Sequence, residues 1–204
     1  MGGTNLNNYK DEIIYREELL QKVRDNVKIT PDERIWLITH PIYNQRFGFS
    51  FFNVATENLE PNTWYILRIN VECITYTDRI IPIIYAPGKK GEIVADFKLT
   101  DLKGNVSLKK PVKMLGFEID PIHMEAKVKF RSALGILSVA YECDYFDKNH
   151  TLHKRQASST GDPDFAMKKE TLNNHMVRYY CKSPINDSFD AMIFTIEWTE
   201  EKDR

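Results

Sequence analysis

A polar, turn-rich stretch in the C-terminal half holds the residues best suited to metal chemistry. Imidazole nitrogens and carboxylate oxygens are ligands that divalent cations accept. Two histidines spaced i, i+3 and three nearby aspartates make up this set: His150, His153, Asp147, Asp162 and Asp164. Their spacing matches no zinc signature, and the acidic pattern of an EF-hand loop is absent. We therefore interpret the stretch as a solvated loop and retain a metal-assisted hydrolase as an alternative.

Paired carboxylates on one strand are the second arrangement with catalytic potential. Glu118 and Asp120 share one predicted strand face, and so do Glu142 and Asp144. Residues two apart on a strand lie about 7 Å from each other, and glycosidases use two carboxyls across a cleft. The same spacing is typical of any solvated strand face, and GxSxG, Walker A and GxGxxG motifs are missing. The sequence predicts no catalytic residue and no cofactor, and whether the protein is an enzyme stays open, with non-enzymatic the favoured answer.

A lysine-rich stretch runs through the middle of the chain. Its members are Lys98, Lys103, Lys109, Lys110 and Lys113. Lysines can contact phosphates or lipid headgroups, but they are also common on strand edges, where their charge opposes sheet-to-sheet pairing. We favour the strand edge and keep Lys109, Lys110 and Lys113 as candidate ligand contacts. The formal net charge of −1 provides no basic field for nucleic acid.

Aromatic residues reach 12% of the chain, a level that suits either a β core or a ligand platform. Exposed rings on one open face would bind carbohydrate, with Trp64 and Trp198 as the candidates. We favour the core, because flat rings pack well on a pleated surface. The exposure of these tryptophans in the structure decides between the two interpretations.

Three cysteines, Cys73, Cys143 and Cys181, are too few and too widely spaced for a disulfide scaffold or a zinc ribbon. We interpret them as buried small residues in strands. The N-terminus has neither the basic nor the apolar region of a signal peptide, and no stretch reaches 18 apolar residues. A soluble, cytoplasmic protein without an integral membrane segment is the expectation.

The clearest strand in the sequence covers residues 63–75. Apolar side chains from Tyr65 to Cys73 alternate with Arg68, Asn70 and Glu72. A period of two is the signature of a strand with one buried and one solvated face. Similar segments recur with turns between them, which predicts eight to ten antiparallel strands.

Two helices are predicted before the strands. Residues 6–27 have an amphipathic pattern whose apolar face comprises Leu6, Tyr9, Ile13, Leu20, Val23 and Val27. Thr30, Pro31 and Glu33 form a capping-box signature for a second helix ending before Pro41. We expect Ile35, Trp36 and Ile38 to dock it on the sheet, and we expect the helices to cover the first half of strand 63–75 beside Trp64 and Ile66.

Three segments test the strand prediction further. At the start of residues 134–146, both the odd and the even positions are apolar, which predicts a central strand covered on both faces. The run 79–85 contains Pro82, which predicts an edge strand or a bulge. Residues 147–164 are predicted to be the longest loop.

These elements predict a mainly β fold, an antiparallel β-sandwich of jelly-roll or Ig-like type with a short N-terminal helical hairpin packed on it. Residues 1–45 form the helical element, which is too small to fold alone, and residues 46–200 form the sandwich. The favoured function is non-enzymatic binding through a sheet face or the end loops, with another protein or a second copy as partner. The alternatives are carbohydrate binding and the metal-assisted hydrolase; nucleic acid is not expected.

Overall fold

A computed structural model of the chain describes residues 6–44, 49–75, 79–87, 92–94, 99–101, 104–106, 114–116, 125–160, 164–183, 185 and 188–201. The fold is mainly β, with antiparallel sheets and two helices, as the sequence predicts. The helices are α1 (Leu6–Arg24) and α2 (Pro31–Thr39), and a 3-10 turn covers Ser158–Thr160. The described strands are β1 (Ile42–Asn44), β2 (Phe49–Phe51), β3 (Ala55–Asn58), β4 (Tyr65–Ile74), β5 (Ile80–Tyr85), β6 (Glu92–Val94), β7 (Leu99–Asp101), β8 (Gly104–Val106), β9 (Met114–Gly116), β10 (Glu125–Arg131), β11 (Ile136–Phe146), β12 (Leu152–Ala157), β13 (Met167–Asn173), β14 (Met176–Cys181) and β15 (Met192–Glu200).

The larger sheet has six strands in the order β13-β14-β15-β4-β10-β6. Strand β4, the predicted strand 63–75, is central, with β15 on one side and β10 on the other. Its residues alternate between buried and exposed as far as Glu72, as the period of two predicts. The sheet therefore buries one face and leaves its opposite face in contact with solvent.

The second sheet has five strands, ordered β12-β11-β5-β9, with β3 paired to β11. Ser138 pairs with both β3 and β5, and Cys143 pairs with both β12 and β5. Because a strand has two edges, β3 and β12 must follow one another along the same edge of β11. Val139, Ala140 and Tyr141 are all buried, so the prediction of a central strand covered on both faces is confirmed there.

One hydrophobic core joins the facing sides of the two sheets. Leu67, Ile69, Phe194 and Trp198 from the larger sheet share it with a set from the second sheet that includes Val139. The sheets also meet along the chain, because Phe52, just before β3, exchanges two backbone hydrogen bonds of 2.7 Å with Met167 at the start of β13. The segment from Phe52 to β3 thus passes from one sheet to the other.

The start and packing of α2 follow from local chemistry. The Thr30 hydroxyl accepts a hydrogen bond from the Glu33 backbone N–H, and the Glu33 carboxylate accepts one from the Thr30 backbone N–H, which confirms the capping box. At the other end, the buried Arg16 guanidinium donates to the carbonyls of Leu37 (2.9 Å) and His40 (2.8 Å). A cation on the last carbonyls of a helix satisfies its unpaired acceptors and its dipole.

The apolar faces predicted for the two helices are partly wrong. In α1 the contact face is built from Leu19, Leu20 and Arg16, whereas Ile13 and Val23 are exposed. In α2 Leu37 is buried, and Ile35 is 57% exposed. The other apolar positions predicted for the face of α1 include Val27, which is also exposed. The periodicity of α1 alone could not choose this face, because Arg16 occupies its centre.

The helices also lie over a different sheet from the one predicted. Ile38 packs against a cluster on the outer face of the second sheet, formed by Val54, Ile81, Ile83 and Ala140. The Ile38 carbonyl accepts a hydrogen bond of 2.8 Å from the Val54 backbone N–H. The outer face of β5 and β11 has more apolar surface to bury than the region around Trp64 and Ile66. The helical pair therefore packs on that face.

The predicted loop over residues 147–164 contains a hairpin strand instead. Asp147 Oδ1 accepts backbone hydrogen bonds from Asn149 (2.8 Å) and Thr151 (2.9 Å), which closes a tight turn. His150 takes a left-handed conformation (φ 60°) within it. The chain then returns as β12, so the polar composition marks an edge strand and not a loop.

Three further expectations need correction. The described part of the chain has fifteen strands, more than the eight to ten predicted, because several are only three residues long. Strand β13 was not predicted, since its edge sequence MKKETLN lacks apolar alternation. Strand β5 lies between β11 and β9 and is not an edge strand, although the described part of β9 reaches only Ile83–Tyr85, just beyond Pro82. The division at residues 45 and 46 stays a prediction, as does the jelly-roll or Ig-like type.

Candidate binding groove

A groove of about 990 Å³ opens at one end of the two sheets. Three separate segments form its walls: the residues that follow β3, the turn between β13 and β14, and the last residues of β15. The lining side chains are Asn58, Leu59, Glu60, Tyr65, Asn173, Asn174, His175, Glu197, Trp198, Thr199 and Glu200. We call this site the end groove. Its volume lies at the upper end of the range typical of ligand sites.

The first wall is fixed by close contact with the turn between β10 and β11. Gly135 has φ +64°, and a Cβ atom there would lie 2.4 Å from the Leu59 carbonyl oxygen. The Leu59 backbone N–H donates to the Gly135 carbonyl (2.7 Å), and Asn62 donates to Ser132 (2.9 Å). Only glycine meets both the backbone conformation and the short approach. The wall from Asn58 to Glu60 is therefore held by backbone contacts.

The second wall is fixed by a turn that extends the larger sheet. The Asn173 side chain accepts a hydrogen bond of 2.8 Å from the His175 backbone N–H, which closes the turn between β13 and β14. The His175 carbonyl accepts one of 2.9 Å from the Trp198 backbone N–H, which ties the turn to β15. The amide and imidazole side chains of this turn are exposed along the groove.

Two aromatic rings form the base of the end groove. Tyr65 and Trp198 are each 7% exposed, the least exposed side chains of its lining. The Tyr65 hydroxyl accepts a hydrogen bond from the Glu60 backbone N–H (3.1 Å), so the ring also braces the first wall. Trp198, predicted as a ligand-binding residue, therefore lies in the groove, at its base and not on an open face.

Negative charge dominates the polar lining of the end groove. Glu60 and Glu200 contribute carboxylates, whereas Glu197 pairs in register with Arg68 on the opposite face of β15 from Trp198. No lysine or arginine of the described residues lines the groove. None of these carboxylates forms an ion pair or side-chain hydrogen bond with another described residue. The end groove thus combines an aromatic base with unpaired acceptors on its rim.

The charged cluster beside the first wall has the opposite character. The Glu57 carboxylate accepts hydrogen bonds from the Tyr179 hydroxyl (2.9 Å) and from the Lys169 ammonium (3.0 Å). Burial raises the pKa of Tyr179 well above its usual value, and the neighbouring Glu57 charge adds to the rise. Glu57 is on β3, while Lys169 and Tyr179 are on β13 and β14. We call this group the inter-sheet clamp, because it joins the two sheets.

The predicted metal ligands are not brought together as a set. His153 Nε2 lies 3.1 Å from Asp147 Oδ2 and its ring stacks on Tyr145, whereas Asp164 accepts a hydrogen bond from Lys182 (3.1 Å). His150 is exposed in its turn, and Asp162 lies outside the described residues. Among the residues that the structure describes, no group of three His, Cys, Asp or Glu side chains could hold a metal ion.

Among the described residues, the other tryptophans do not form an open aromatic surface. Trp64 is half-buried, and the Arg131 guanidinium lies 4.5 Å from its ring centre. Trp36 is also half-buried and stacks on His40 in the helical pair. The predicted ligand contacts Lys109, Lys110 and Lys113 lie outside the described residues, so their role stays a prediction.

The paired carboxylates share a cation. Arg79 lies 2.6 Å from Glu142 and 3.7 Å from Asp144, on the outer face of the second sheet. Glu118 and Asp120 lie outside the described residues. This arrangement neutralises the Glu142 and Asp144 pair instead of placing it across a cleft, as glycosidases require.

The cysteines behave largely as the sequence predicts. Cys143 and Cys181 are buried, and Cys73 is half-buried. Burial raises the pKa of the Cys181 thiol well above its usual value, which disfavours the reactive thiolate.

Comparison with known proteins adds no identity. No protein-family model matches the chain, and neither a curated protein nor a solved structure gives a significant match. Within the described residues, neither helix has the length and apolar character needed to cross a membrane.

Sequence reasoning named Trp198 but missed the rest of the end groove. Its walls come from three segments far apart in the chain, around residues 58–60, 173–175 and 197–200. The one available local signal was the Asn173-Asn174 pair, a typical turn sequence that also predicts a hairpin and so the missing strand β13.

Proposed function

We propose that the protein is a non-enzymatic binding protein that takes an extended segment of a partner protein into the end groove. The groove itself carries this proposal: about 990 Å³ of concave surface, built by end loops on two sheets. Backbone contacts at Gly135 and His175 hold its walls, so the site needs little ordering when a ligand binds. The aromatic base offers apolar contact, and the asparagine amides offer hydrogen bonds to a peptide backbone.

A β-sandwich of jelly-roll or Ig-like type is part of this proposal, because the two sheets share one core and the groove would lie at the sandwich end. A cytoplasmic location also stays a proposal. Carbohydrate binding is less well supported: Trp198 is 7% exposed, and the Trp64 ring is covered by Arg131 on one face. A sugar-binding surface usually needs an accessible ring face.

Selection of short random peptides displayed on phage tests the proposed function. Peptides enriched on the wild-type protein should bind at least about tenfold more weakly to Asn174→Trp and Glu200→Trp, which fill the groove from exposed positions. Asn149→Trp, a bulky change in the exposed turn before β12, is the matched control and should bind like the wild type. Enrichment of no peptide, or of peptides that both groove variants retain, would refute the proposal.

A further inference from the structure

Two of the three cysteines lie on opposite sides of the shared core. Cys143 is on β11 of the second sheet, and Cys181 is the last residue of β14 in the larger sheet. Both are fully buried members of the one hydrophobic core, so their side chains point into the space between the sheets. The fold therefore places one cysteine from each sheet in the same interior layer, whereas Cys73 is half-buried on β4.

A neighbour of Cys143 on β11 reaches the backbone beside Cys181. Tyr141 lies two residues before Cys143, is also buried and shares its strand face. The Tyr141 hydroxyl donates a hydrogen bond of 2.8 Å to the carbonyl of Lys182, the residue after Cys181. The gap between β11 and the end of β14 is therefore spanned by a single side chain at this level of the core.

The residue on the other side of Cys143 makes a second contact between the sheets. Tyr145 packs against the core, and its ring centre lies 5.6 Å from that of Phe165. Phe165 leads into β13, whose first residue, Met167, pairs with Cys181. Cys143 thus lies between two inter-sheet contacts that both end beside Cys181.

The two thiols also affect each other electrostatically. Burial raises the pKa of Cys181 well above its usual value, and Cys143 adds to the rise. One sulfur has such an effect on another only when the two are near each other. The effect agrees with the placement that the two tyrosines indicate, in which the sulfurs are neighbours across the core.

We propose that Cys143 and Cys181 are an inter-sheet disulfide pair, which becomes linked when the chain folds in the presence of a small-molecule disulfide as oxidant. The bond would join β11 to β14 at the end of the sheets opposite the end groove, because the groove lies beside the first residues of β14. In a reducing compartment such as the cytosol the same pair stays as two thiols. The chain therefore has two forms that differ by one covalent bond inside the core.

The linkage forms by two thiol–disulfide exchanges. The thiolate of one cysteine attacks a sulfur of the oxidant, which gives a mixed disulfide and releases one small thiolate. The thiolate of the other cysteine then attacks the protein sulfur of that mixed disulfide, which closes the Cys143–Cys181 bond and expels the second small thiolate. The protein loses two electrons and two protons, and the oxidant gains them as two small thiols.

Burial determines when this exchange takes place. Both sulfurs are shielded from solvent in the folded chain, and the raised pKa of Cys181 disfavours the thiolate that would attack. Oxidants and reductants therefore reach the pair before the sheets close or after the chain unfolds. The folded protein preserves whichever form, dithiol or disulfide, was present when its core closed.

Refolding of the full chain from urea tests the proposal, once with oxidised and reduced glutathione and once with reduced glutathione alone. After the first procedure, peptide mapping should show one linked peptide pair containing Cys143 and Cys181, with Cys73 outside the linkage. The linked form should have a Tm about 5–10 °C above that of the dithiol form. Oxidised glutathione added to the folded dithiol form should react with the pair at least about a hundredfold more slowly than with the chain in urea.

Single variants provide the controls. Cys73→Ala should form the linked pair and gain in Tm like the wild type, whereas Cys143→Ala and Cys181→Ala should have the same Tm after either procedure. Linkage through Cys73, or a native circular dichroism spectrum without any linkage after oxidative refolding, would overturn the proposal. So would a linked form that is less stable than the dithiol form, or equal rates of oxidation in the folded chain and in urea. The peptide map of the wild type decides the pairing even where an alanine variant does not fold.

Discussion

Glu57 and Glu60 are three residues apart in sequence, yet they serve different regions of the molecule. Glu57 belongs to the inter-sheet clamp, where its side chain is only 12% exposed and contacts Lys169 and Tyr179. Glu60 is exposed on the rim of the end groove and makes no side-chain interaction with a described residue. A charge withdrawn from water must be paired to be tolerated, whereas a charge on a rim needs no partner within the chain.

This contrast separates residues that stabilise the fold from residues that are available to a ligand. Changes in the inter-sheet clamp should lower the free energy of unfolding, and changes on the rim of the end groove should alter binding alone. The difference between the two regions can therefore be measured as stability against binding.

Gly135→Ala should produce the largest effect, because Gly135 supports the wall next to both regions. The added Cβ atom would lie 2.4 Å from the Leu59 carbonyl oxygen, in a backbone conformation that disfavours side chains. Strain and displacement together should lower the free energy of unfolding by about 3–4 kcal/mol. Urea denaturation measures this loss of free energy. Leu134→Ala, the neighbouring exposed position, is the control, and equal stability of the two variants would show that the close approach is unimportant.

Glu57→Ala should come next, and Glu60→Ala is its direct comparison. Removal of Glu57 leaves the Lys169 ammonium and the Tyr179 hydroxyl without their shared acceptor. Because the lysine is partly exposed, the free energy of unfolding should fall by about 2–3 kcal/mol. Removal of Glu60 should change the free energy of unfolding by less than about 0.5 kcal/mol. Thermal and urea unfolding of both variants gives the difference. If the two variants lose equal stability, the distinction between clamp and rim is wrong.

Tyr179→Phe tests the clamp with a smaller change. It deletes one hydroxyl in a fully buried position and should lower the free energy of unfolding by about 1–2 kcal/mol. The next residue, Tyr180, donates to Glu170 on the outer face of the larger sheet. Because that contact is exposed, Tyr180→Phe should cost less than about 0.5 kcal/mol. If chemical denaturation shows a larger loss in the free energy of unfolding for Tyr180→Phe than for Tyr179→Phe, the account is contradicted.

The smallest effect concerns the acidic range and the cap of α2. The Thr30 backbone N–H, and then the Lys22 ammonium, lower the pKa of Glu33 from 4.5 to about 2. A carboxyl whose folded pKa is depressed stabilises the fold above its unfolded pKa, and that contribution is lost as the pH falls from 4.5 to 2. Glu33→Gln should flatten the pH dependence of the helical signal in this range. An unchanged pH profile would show that the cap does not depend on this charge.

Local signals in the sequence predicted much of the fold. Strand β4 followed from its alternation, and α2 followed from Thr30, Pro31 and Glu33, because both patterns depend on neighbouring residues. Strands β12 and β13 were missed because edge strands carry lysines and polar residues on both faces. The docking of the helices was wrong because it depends on which sheet face remains apolar after the sheets have paired.

The end groove could not be predicted from the sequence for the same physical reason. Glu60, His175 and Glu200 become neighbours only when β3, β14 and β15 adopt their places, which long-range pairing decides. Nor does the sequence show that Glu57, on β3, is paired while Glu60, just after β3, is not, since both are glutamates of the same short segment. Trp198 was named from its residue type alone.

The most direct test maps where a peptide selected from the phage library binds, using amide chemical shifts of the isotope-labelled protein. Binding in the end groove should shift the amides of residues 58–60, 173–175 and 197–200 together, with one shared dissociation constant. The amides of the inter-sheet clamp beyond these walls and those of α1 should stay in place. Shifts confined to the helices or to the outer face of the larger sheet would contradict the central claim that the end groove is the binding site.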